Sequence, residues 1–151
     1  MNGLRVGLSS TPLPALILGL AGLLPFIGIS AVLLATTSSL YAWWLETLAQ
    51  YASVILAFVG ALHWGFAMRC NPNGMQAWIR YAWGVLPSLL GWLALQFPVW
   101  IALRFEAGAL ILCYVVDRCF AKGFGAPSWF LPLRLLLTTV SSASLVAASY
   151  A

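Results

Sequence analysis

Three ionisable side chains lie inside long apolar stretches of this sequence, where a charge is costly and needs a reason. They are His63, Asp117 and Arg134, and His63 is the single histidine of the chain. An imidazole beside a carboxylate can exchange protons, and a guanidinium can pair with a carboxylate or hold an anionic group. The chemistry that these residue types offer is ion pairing, anion binding or proton transfer.

Other kinds of site are not indicated. The sequence has no GxSxG or HExxH pattern and no phosphate-binding glycine loop, and it holds only three acidic residues. Cys70, Cys113 and Cys119 have no paired spacing, which gives no support to a metal site or a redox pair. Seven basic residues are too few and too scattered for a nucleic-acid surface. We therefore expect no catalytic residue, no metal, no cofactor and no nucleic-acid partner.

The composition is that of a protein dissolved in lipid. Of the 151 residues, 63% are hydrophobic and 7% are charged, whereas soluble domains carry about 25% charged residues. A membrane barrel would need alternating strands, but the run from Leu13 to Ala35 is continuously apolar. Since a spanning helix needs about 20 apolar residues, the sequence predicts an all-α polytopic bundle of five transmembrane helices, with residues 1–151 forming a single integral membrane domain.

Turn residues divide the apolar sequence into these spans. Cys70-Asn-Pro-Asn-Gly and residues 121–127 predict two of the turns. Pro25 is expected to kink the first span, since its ring opposes continuous helix geometry. Ala57, Ala61 and Gly65 are spaced four apart and predict the face of the second span against which a neighbour packs. The predicted spans cover about residues 12–35, 45–68, 78–96, 99–120 and 128–148.

The basic residues predict the orientation, because they concentrate on the cytoplasmic side of membrane helices. With five spans, five basic residues fall on the side of the N-terminus and only Arg104 on the other. We expect the N-terminus in the cytoplasm and the C-terminus outside, in a multi-pass protein of a bacterial inner membrane. The five residues are Arg5, Arg69, Arg80, Arg118 and Lys122.

The same topology brings the three buried ionisable residues to one depth. His63, Asp117 and Arg134 each lie near the cytoplasmic end of their span, so we expect them to meet, with Arg134 and Asp117 as an ion pair that is bidentate if the geometry allows it. Trp64 follows His63 in sequence, and Trp129 precedes Arg134 by five residues. Both could wall an aromatic pocket beside the cluster, although plain core packing would also account for both. Arg104 and Glu106, by contrast, lie near the outer face. They are two residues apart and are most simply interfacial.

Several motifs of this chain form a recognisable series. They are, in order, Pro14, Gly22 to Phe26, Phe58 to Gly65, Gly84 to Pro87, Trp92, Asp117, Pro127 to Phe130 and Leu133-Arg134. Taken together, these residues resemble the membrane family called domain of unknown function 3429. The resemblance covers nearly the whole chain and implies a small multi-span helical protein with no established activity.

Three functions remain open for the cluster of His63, Asp117 and Arg134. It could clamp helices together, it could anchor the polar group of a ligand or partner, or His63 and Asp117 could carry protons or ions. The leading hypothesis is a non-enzymatic protein of the lipid bilayer that binds a larger membrane complex or a lipid-like ligand through this cluster, with Trp64 and Trp129 beside it. A proton- or ion-translocating protein is the alternative. An intramembrane enzyme would need a nucleophile and base that the sequence does not offer.

Overall fold

A computed structural model describes residues 10–35 and 39–151 of the chain. Arg5 therefore lies outside the described residues, and so does part of the predicted first connection. The described residues form α-helices joined by turns, without a strand among them, which confirms the all-α prediction. The helices are α1 (Leu13–Ala21), α2 (Leu24–Ala35), α3 (Tyr41–Cys70), α4 (Gly74–Ala94), α5 (Val99–Phe124) and α6 (Phe130–Ala148).

Four helical stretches in the described part of the chain are long and apolar enough to cross a membrane. They are α1 together with α2, then α3, the part of α5 up to Ala121, and α6. The fourth helix, α4, has 21 residues, but its first two turns carry Gln76 and Arg80 and lower its mean hydropathy. The protein is therefore a multi-pass helical membrane protein, and α4 is the long helix outside this set of four.

The first span is broken where proline chemistry predicts a kink. Helix α1 ends at Ala21, and α2 begins at Leu24 after the two-residue break at Gly22 and Leu23. The ring of Pro25 opposes the carbonyl four residues earlier, which is that of Ala21, so the regular helix stops there. The Tyr51 hydroxyl donates to the Gly22 carbonyl at 2.9 Å and ties the break to α3.

The turn between α3 and α4 forms as predicted, and the later one is shorter than predicted. Asn71 ends α3 with φ of 44°, a left-handed conformation that asparagine tolerates. Helix α5, however, continues through the first part of the 121–127 stretch to Phe124 and ends at Gly125, whose φ is +60°. Glycine has no Cβ to resist that conformation, so the helix stops at the second glycine of the stretch and not at the first.

Glycine lets α3 and α4 approach closely. A Cβ at Gly60 would lie 2.6 Å from the Gly84 carbonyl oxygen, and a Cβ at Gly84 would collide with the Trp64 indole. Farther along, a Cβ at Gly91 would lie 3.1 Å from the Ser53 Cα. The missing side chains therefore bring the two antiparallel backbones together, as small residues commonly do between membrane helices.

The face predicted from Ala57, Ala61 and Gly65 is wrong. Ala61 and Gly65 are exposed, and a Cβ on Gly65 would meet nothing within 4 Å. A strict spacing of four drifts around a helix that turns every 3.6 residues, whereas alternating steps of three and four stay on one side. The inward face of α3 follows such steps through Ser53, Leu56, Gly60, His63 and Ala67.

Helices α3 and α5 run in the same direction and meet through polar side chains at two levels. Ser53 contacts Glu106 at one level, and His63 contacts Asp117 at the other. Glu106 and Asp117 lie eleven residues apart on α5, about three turns, so both point to one side and roughly 17 Å of helix separates them. The buried side chains of α5 between them are apolar, namely Ala107, Ala109, Leu110 and Cys113.

Candidate functional site

Asp117 lies between the other two residues of the cluster predicted from the sequence, His63 and Arg134. Its Oδ1 is 2.7 Å from His63 Nε2, and its Oδ2 accepts a hydrogen bond from Arg134 Nε at 2.7 Å. All three side chains are buried. One carboxylate from α5 thus joins a histidine of α3 to an arginine of α6, and the predicted meeting of the three groups is confirmed.

Charge balance accounts for this arrangement. The negative charge of Asp117 offsets the positive charge of Arg134, so the pair introduces no net charge into the interior of the bundle. A neutral His63 donates to the carboxylate when Nε2 carries its proton. The cluster is then electrically neutral, although each of its groups would be expensive to bury alone.

Aromatic rings surround the imidazole. Trp83 from α4 and Phe120 from α5 each lie 6.3 Å from His63, centroid to centroid, with their planes at 78° to it. Such edge contacts are favourable for aromatic rings. Trp83 was not among the site residues expected from the sequence. Trp83 immediately precedes Gly84, which lies on the face of α4 that packs against α3. That position in the sequence is the signal that could have identified it.

Arg134 is incompletely bonded. It is 7% exposed, it uses only Nε toward Asp117, and its Nη2 is buried without a hydrogen-bond partner among the described residues. The expected ion pair between Arg134 and Asp117 is therefore present, but its geometry is not bidentate. A guanidinium has five N–H groups in a rigid fork, and the side-on approach of Nε leaves donor capacity for another acceptor.

A long groove on the outside of the bundle contains this arginine. Its volume is about 640 Å³, and helices α1, α3 and α6 line most of it. The walls are almost entirely apolar and include Leu18, Phe26 and Leu133. Arg69 and Arg134 are the charged residues of its lining, and both belong to the end of the bundle where α3 ends and α6 begins.

The two tryptophans expected beside the cluster have different positions. Trp129 is half-buried and lines the groove together with Arg134. Trp64 does not contribute to the site. It is 43% exposed, lies over Gly84, and donates from Nε1 to the Tyr81 carbonyl at 3.0 Å. Its neighbour His63 faces inward, so Trp64 turns toward α4 and the outside, because successive helix residues are about 100° apart.

Glu106 is not interfacial, and that expectation was wrong. Its side chain is 0% exposed, and its Oε1 lies 2.6 Å from Ser53 Oγ. Its spacing from Asp117 could have revealed this, since eleven residues place both acids on one face of a helix. Arg104 does lie at the surface, where its Nε donates to Ser149 Oγ at 3.0 Å and its guanidinium stacks on Tyr150.

Within the described ranges, histidine, cysteine and acidic side chains form no group of three or more that could hold a metal ion. The polar contacts of the site are therefore those of the carboxylate, the imidazole and the guanidinium, together with the apolar groove that reaches Arg134. This set can hold an anionic or hydrogen-bond-accepting group at one end of an apolar chain.

Comparisons with known proteins place the chain in a family. The model of the family described as "Protein of unknown function (DUF3429)" matches residues 11–150. Transmembrane protein 69 of Xenopus tropicalis is 36% identical over 144 residues, which is 92% of this chain and 54% of that protein. Its namesake from Mus musculus is 29% identical over 139 residues, 92% of this chain and 56% of the mouse protein. The chain thus spans about half the length of the curated relatives it matches, and no solved structure matches it. This chain belongs to the DUF3429 family of membrane proteins.

Proposed function

We propose that this protein binds a lipid-like amphiphile in the groove between α1, α3 and α6, with an anionic head at Arg134. The observation that carries the proposal is the buried Arg134 Nη2, which lacks a hydrogen-bond partner in the described part of the chain and belongs to a residue that lines the groove. An oxygen of a phosphate or carboxylate supplies the acceptor that this nitrogen needs.

The length of the groove fits one leaflet of a membrane. Its lining on α6 extends from Phe130 to Ser141, a rise of roughly 17 Å. Half of the hydrocarbon core of a bilayer is about 15 Å. An acyl or isoprenoid chain that starts beside the arginines therefore reaches the middle of the bilayer along the apolar wall.

The charges along the groove favour an anionic head over a neutral or zwitterionic one. Asp117 neutralises Arg134, whereas Arg69, at the mouth of the groove, has no carboxylate within ion-pair distance among the described residues. One uncompensated positive charge thus remains in the lining of the groove. Arg69 lies six residues beyond His63, roughly 9 Å nearer to the aqueous surface, where it meets a head group before Arg134 does.

We also propose that α4 is the fifth span, with the N-terminus in the cytoplasm of a bacterium and the groove in the inner leaflet. Helix α4 lies antiparallel to α3 over roughly 17 Å, from the Trp64–Tyr81 hydrogen bond to the one between Ser53 and Gly91. A helix that accompanies a membrane span for that distance is itself in the membrane. The basic side chains gathered at the Arg69 end support the orientation.

Lipid retention tests the binding proposal. Gly19 lines the groove, and a Cβ there would lie 3.4 Å from Leu137 without a clash. Gly19→Phe therefore fills the groove, whereas Gly28→Phe adds the same ring where a Cβ meets nothing within 4 Å. Native mass spectrometry of protein released from nanodiscs of mixed anionic and zwitterionic lipid measures the bound fraction and its head group.

The expected result is one retained anionic lipid in the wild type and in Gly28→Phe, and its loss in Gly19→Phe. Arg134→Gln is expected to retain less lipid and to lose the preference for anionic heads. Equal retention in both phenylalanine variants would place any lipid elsewhere. If a folded Arg134→Gln protein keeps the full preference for anionic lipid, Arg134 does not bind the head group. The cluster then serves only to hold the helices together.

Proton translocation is the second candidate, and the observation that favours it is the second buried carboxyl group on α5. Glu106 and Asp117 mark two levels of the bundle, and the α6 hydroxyls of Thr138, Ser141 and Ser142 are buried between α6 and its neighbours. Liposomes with a pH gradient and an internal dye test this function. Dissipation above that of empty vesicles, abolished in Asp117→Asn, would support it, and a rate equal to empty vesicles would remove it.

A further inference from the structure

Glu106 is the one acidic residue of the described chain that is fully buried without a basic partner. It is 0% exposed, and the ion pairs of the described residues all involve Asp117. Its Oε2 has no hydrogen-bond partner in this part of the chain. An ionised carboxylate within a membrane bundle normally gains several donors or a cation, and Glu106 has one hydroxyl neighbour.

The hydrogen atoms available at Ser53 decide the protonation state of this carboxyl group. Ser53 Oγ lies 2.6 Å from Glu106 Oε1 and 2.9 Å from the Gly91 carbonyl oxygen. A serine hydroxyl has one hydrogen, so it can make a full, linear hydrogen bond to only one of these two oxygens. If Glu106 were ionised, one close oxygen–oxygen contact would contain no hydrogen. If Glu106 carries a proton, it donates to Ser53, and Ser53 donates to Gly91.

We infer that Glu106 is a proton-binding site, and that its bound proton completes a hydrogen-bond chain joining α5, α3 and α4. The chain runs from the Glu106 hydroxyl to Ser53 Oγ and on to the Gly91 carbonyl. The close contact of Gly91 with the Ser53 backbone, for which glycine is needed, holds the two acceptor atoms in position. This site lies roughly 17 Å along α5 from the Asp117 cluster and does not depend on the groove.

No charge nearby replaces the proton. Ser142 of α6 donates to the Ala107 carbonyl, one residue from Glu106, and is neutral. Arg104 on the same helix is exposed and bonded to Ser149. Tyr51 of α3 lies two residues from Ser53, and its hydroxyl donates to the Gly22 carbonyl and not to Glu106. The acidic, basic and histidine side chains of the helices packed against α5 lie at least seven residues from this level, and none forms an ion pair with Glu106. They are Glu46, His63 and Arg69 on α3, Arg80 on α4 and Arg134 on α6.

A small cleft offers a route by which this proton exchanges with water. It has a volume of about 240 Å³ and is lined by Glu46 and Gln50 of α3 and by Ala102 of α5, among others. Gln50 lies three residues before Ser53, and Ala102 lies four residues before Glu106. The cleft is therefore about one helical turn from the carboxyl group, on the side of the bundle opposite to Arg69.

Infrared spectroscopy tests the inference directly, because the chain has only three acidic side chains. The wild-type protein at neutral pH is expected to show the carbonyl-stretch band of one protonated carboxyl group. Glu106→Gln should remove it, and Glu46→Gln, a matched change at an exposed residue of the same end, should leave it. Absence of the band, or its survival in Glu106→Gln, would overturn the inference.

Two further measurements separate protonation from simple packing. Glutamine can donate to Ser53 as the protonated acid does, so Glu106→Gln should fold and should keep its melting temperature as the pH is raised, while the wild type melts lower at alkaline pH. Ser53→Ala should shift the carboxyl band by removing its acceptor. A Glu106→Gln protein that fails to fold, wild-type and Glu106→Gln melting curves with the same alkaline dependence, or an unshifted band in Ser53→Ala would each contradict the site.

Discussion

Replacing Asp117 by asparagine isolates the charge of the cluster from its shape. Asparagine keeps the size of the side chain and one oxygen acceptor, so a hydrogen bond from Arg134 Nε can survive. The negative charge is lost, however, and Arg134, 7% exposed, is left as an uncompensated cation. Breaking one partner of a buried pair costs about 3–5 kcal/mol, and an arginine at the centre of a membrane helix costs about 2.5–3.5 kcal/mol.

These two independent figures overlap, and we expect Asp117→Asn to lower the free energy of unfolding by about 3 kcal/mol. Adding Arg134→Gln removes the orphaned cation, so the double variant should recover much of the loss. The coupling energy in the double-mutant cycle should be about 2 kcal/mol, within the range found for residues that share one ion pair. Reversible unfolding in mixed micelles, followed by tryptophan fluorescence, measures all four proteins.

Arg118→Gln is the matched control, because Arg118 follows Asp117 in sequence but is exposed. Its removal should change the free energy of unfolding by less than about 0.5 kcal/mol, as is usual at surface positions. The reasoning would be refuted if Asp117→Asn cost no more than this control. It would equally be refuted if the effects of Asp117→Asn and Arg134→Gln were additive, since an ion pair requires coupling.

Three further predictions concern the helices that position the site. Gly60→Ala should destabilise the protein by about 1–3 kcal/mol by overpacking α3 against α4, whereas Gly65→Ala, where a Cβ meets nothing within 4 Å, should be neutral or stabilising by up to about 1 kcal/mol in thermal unfolding. Gly125→Ala should cost about 1 kcal/mol in the same assay, because its φ of +60° is unfavourable for alanine. With a membrane-impermeant maleimide and intact cells, Cys70, which is exposed at the Arg69 end, should react only after the cells are opened; labelling in intact cells would reverse the proposed orientation.

The sequence predicted the membrane class and the cluster of His63, Asp117 and Arg134 because both depend on simple quantities. Apolar length and the break at Pro25 follow from local chain chemistry. The meeting of His63, Asp117 and Arg134 follows from depth alone, since ionisable groups at one level of a bundle lower their cost by pairing.

The errors concern rotation about helix axes, which depth does not determine. Trp64 follows His63 in sequence but faces another direction. The predicted face that includes Ala61 was one residue away from the true one, which includes Gly60. Glu106 was misjudged because its distance from the end of α5 suggested the interface. The eleven-residue spacing from Asp117 was the signal that could have indicated its burial, and the close approach of α3 that encloses it is a tertiary feature. The groove is likewise a tertiary feature, since three separate helices form it.

The most direct test of the proposed lipid site is a structure determined in nanodiscs that contain anionic lipid, with a bound antibody fragment to give the particle sufficient size. We predict continuous density for one chain along α6 from Phe130 to Ser141, with a head-group oxygen within hydrogen-bonding distance of Arg134 Nη2. A groove closed by α1 against α6, or an Arg134 Nη2 bonded only to protein atoms with no ordered lipid beside it, would contradict the account.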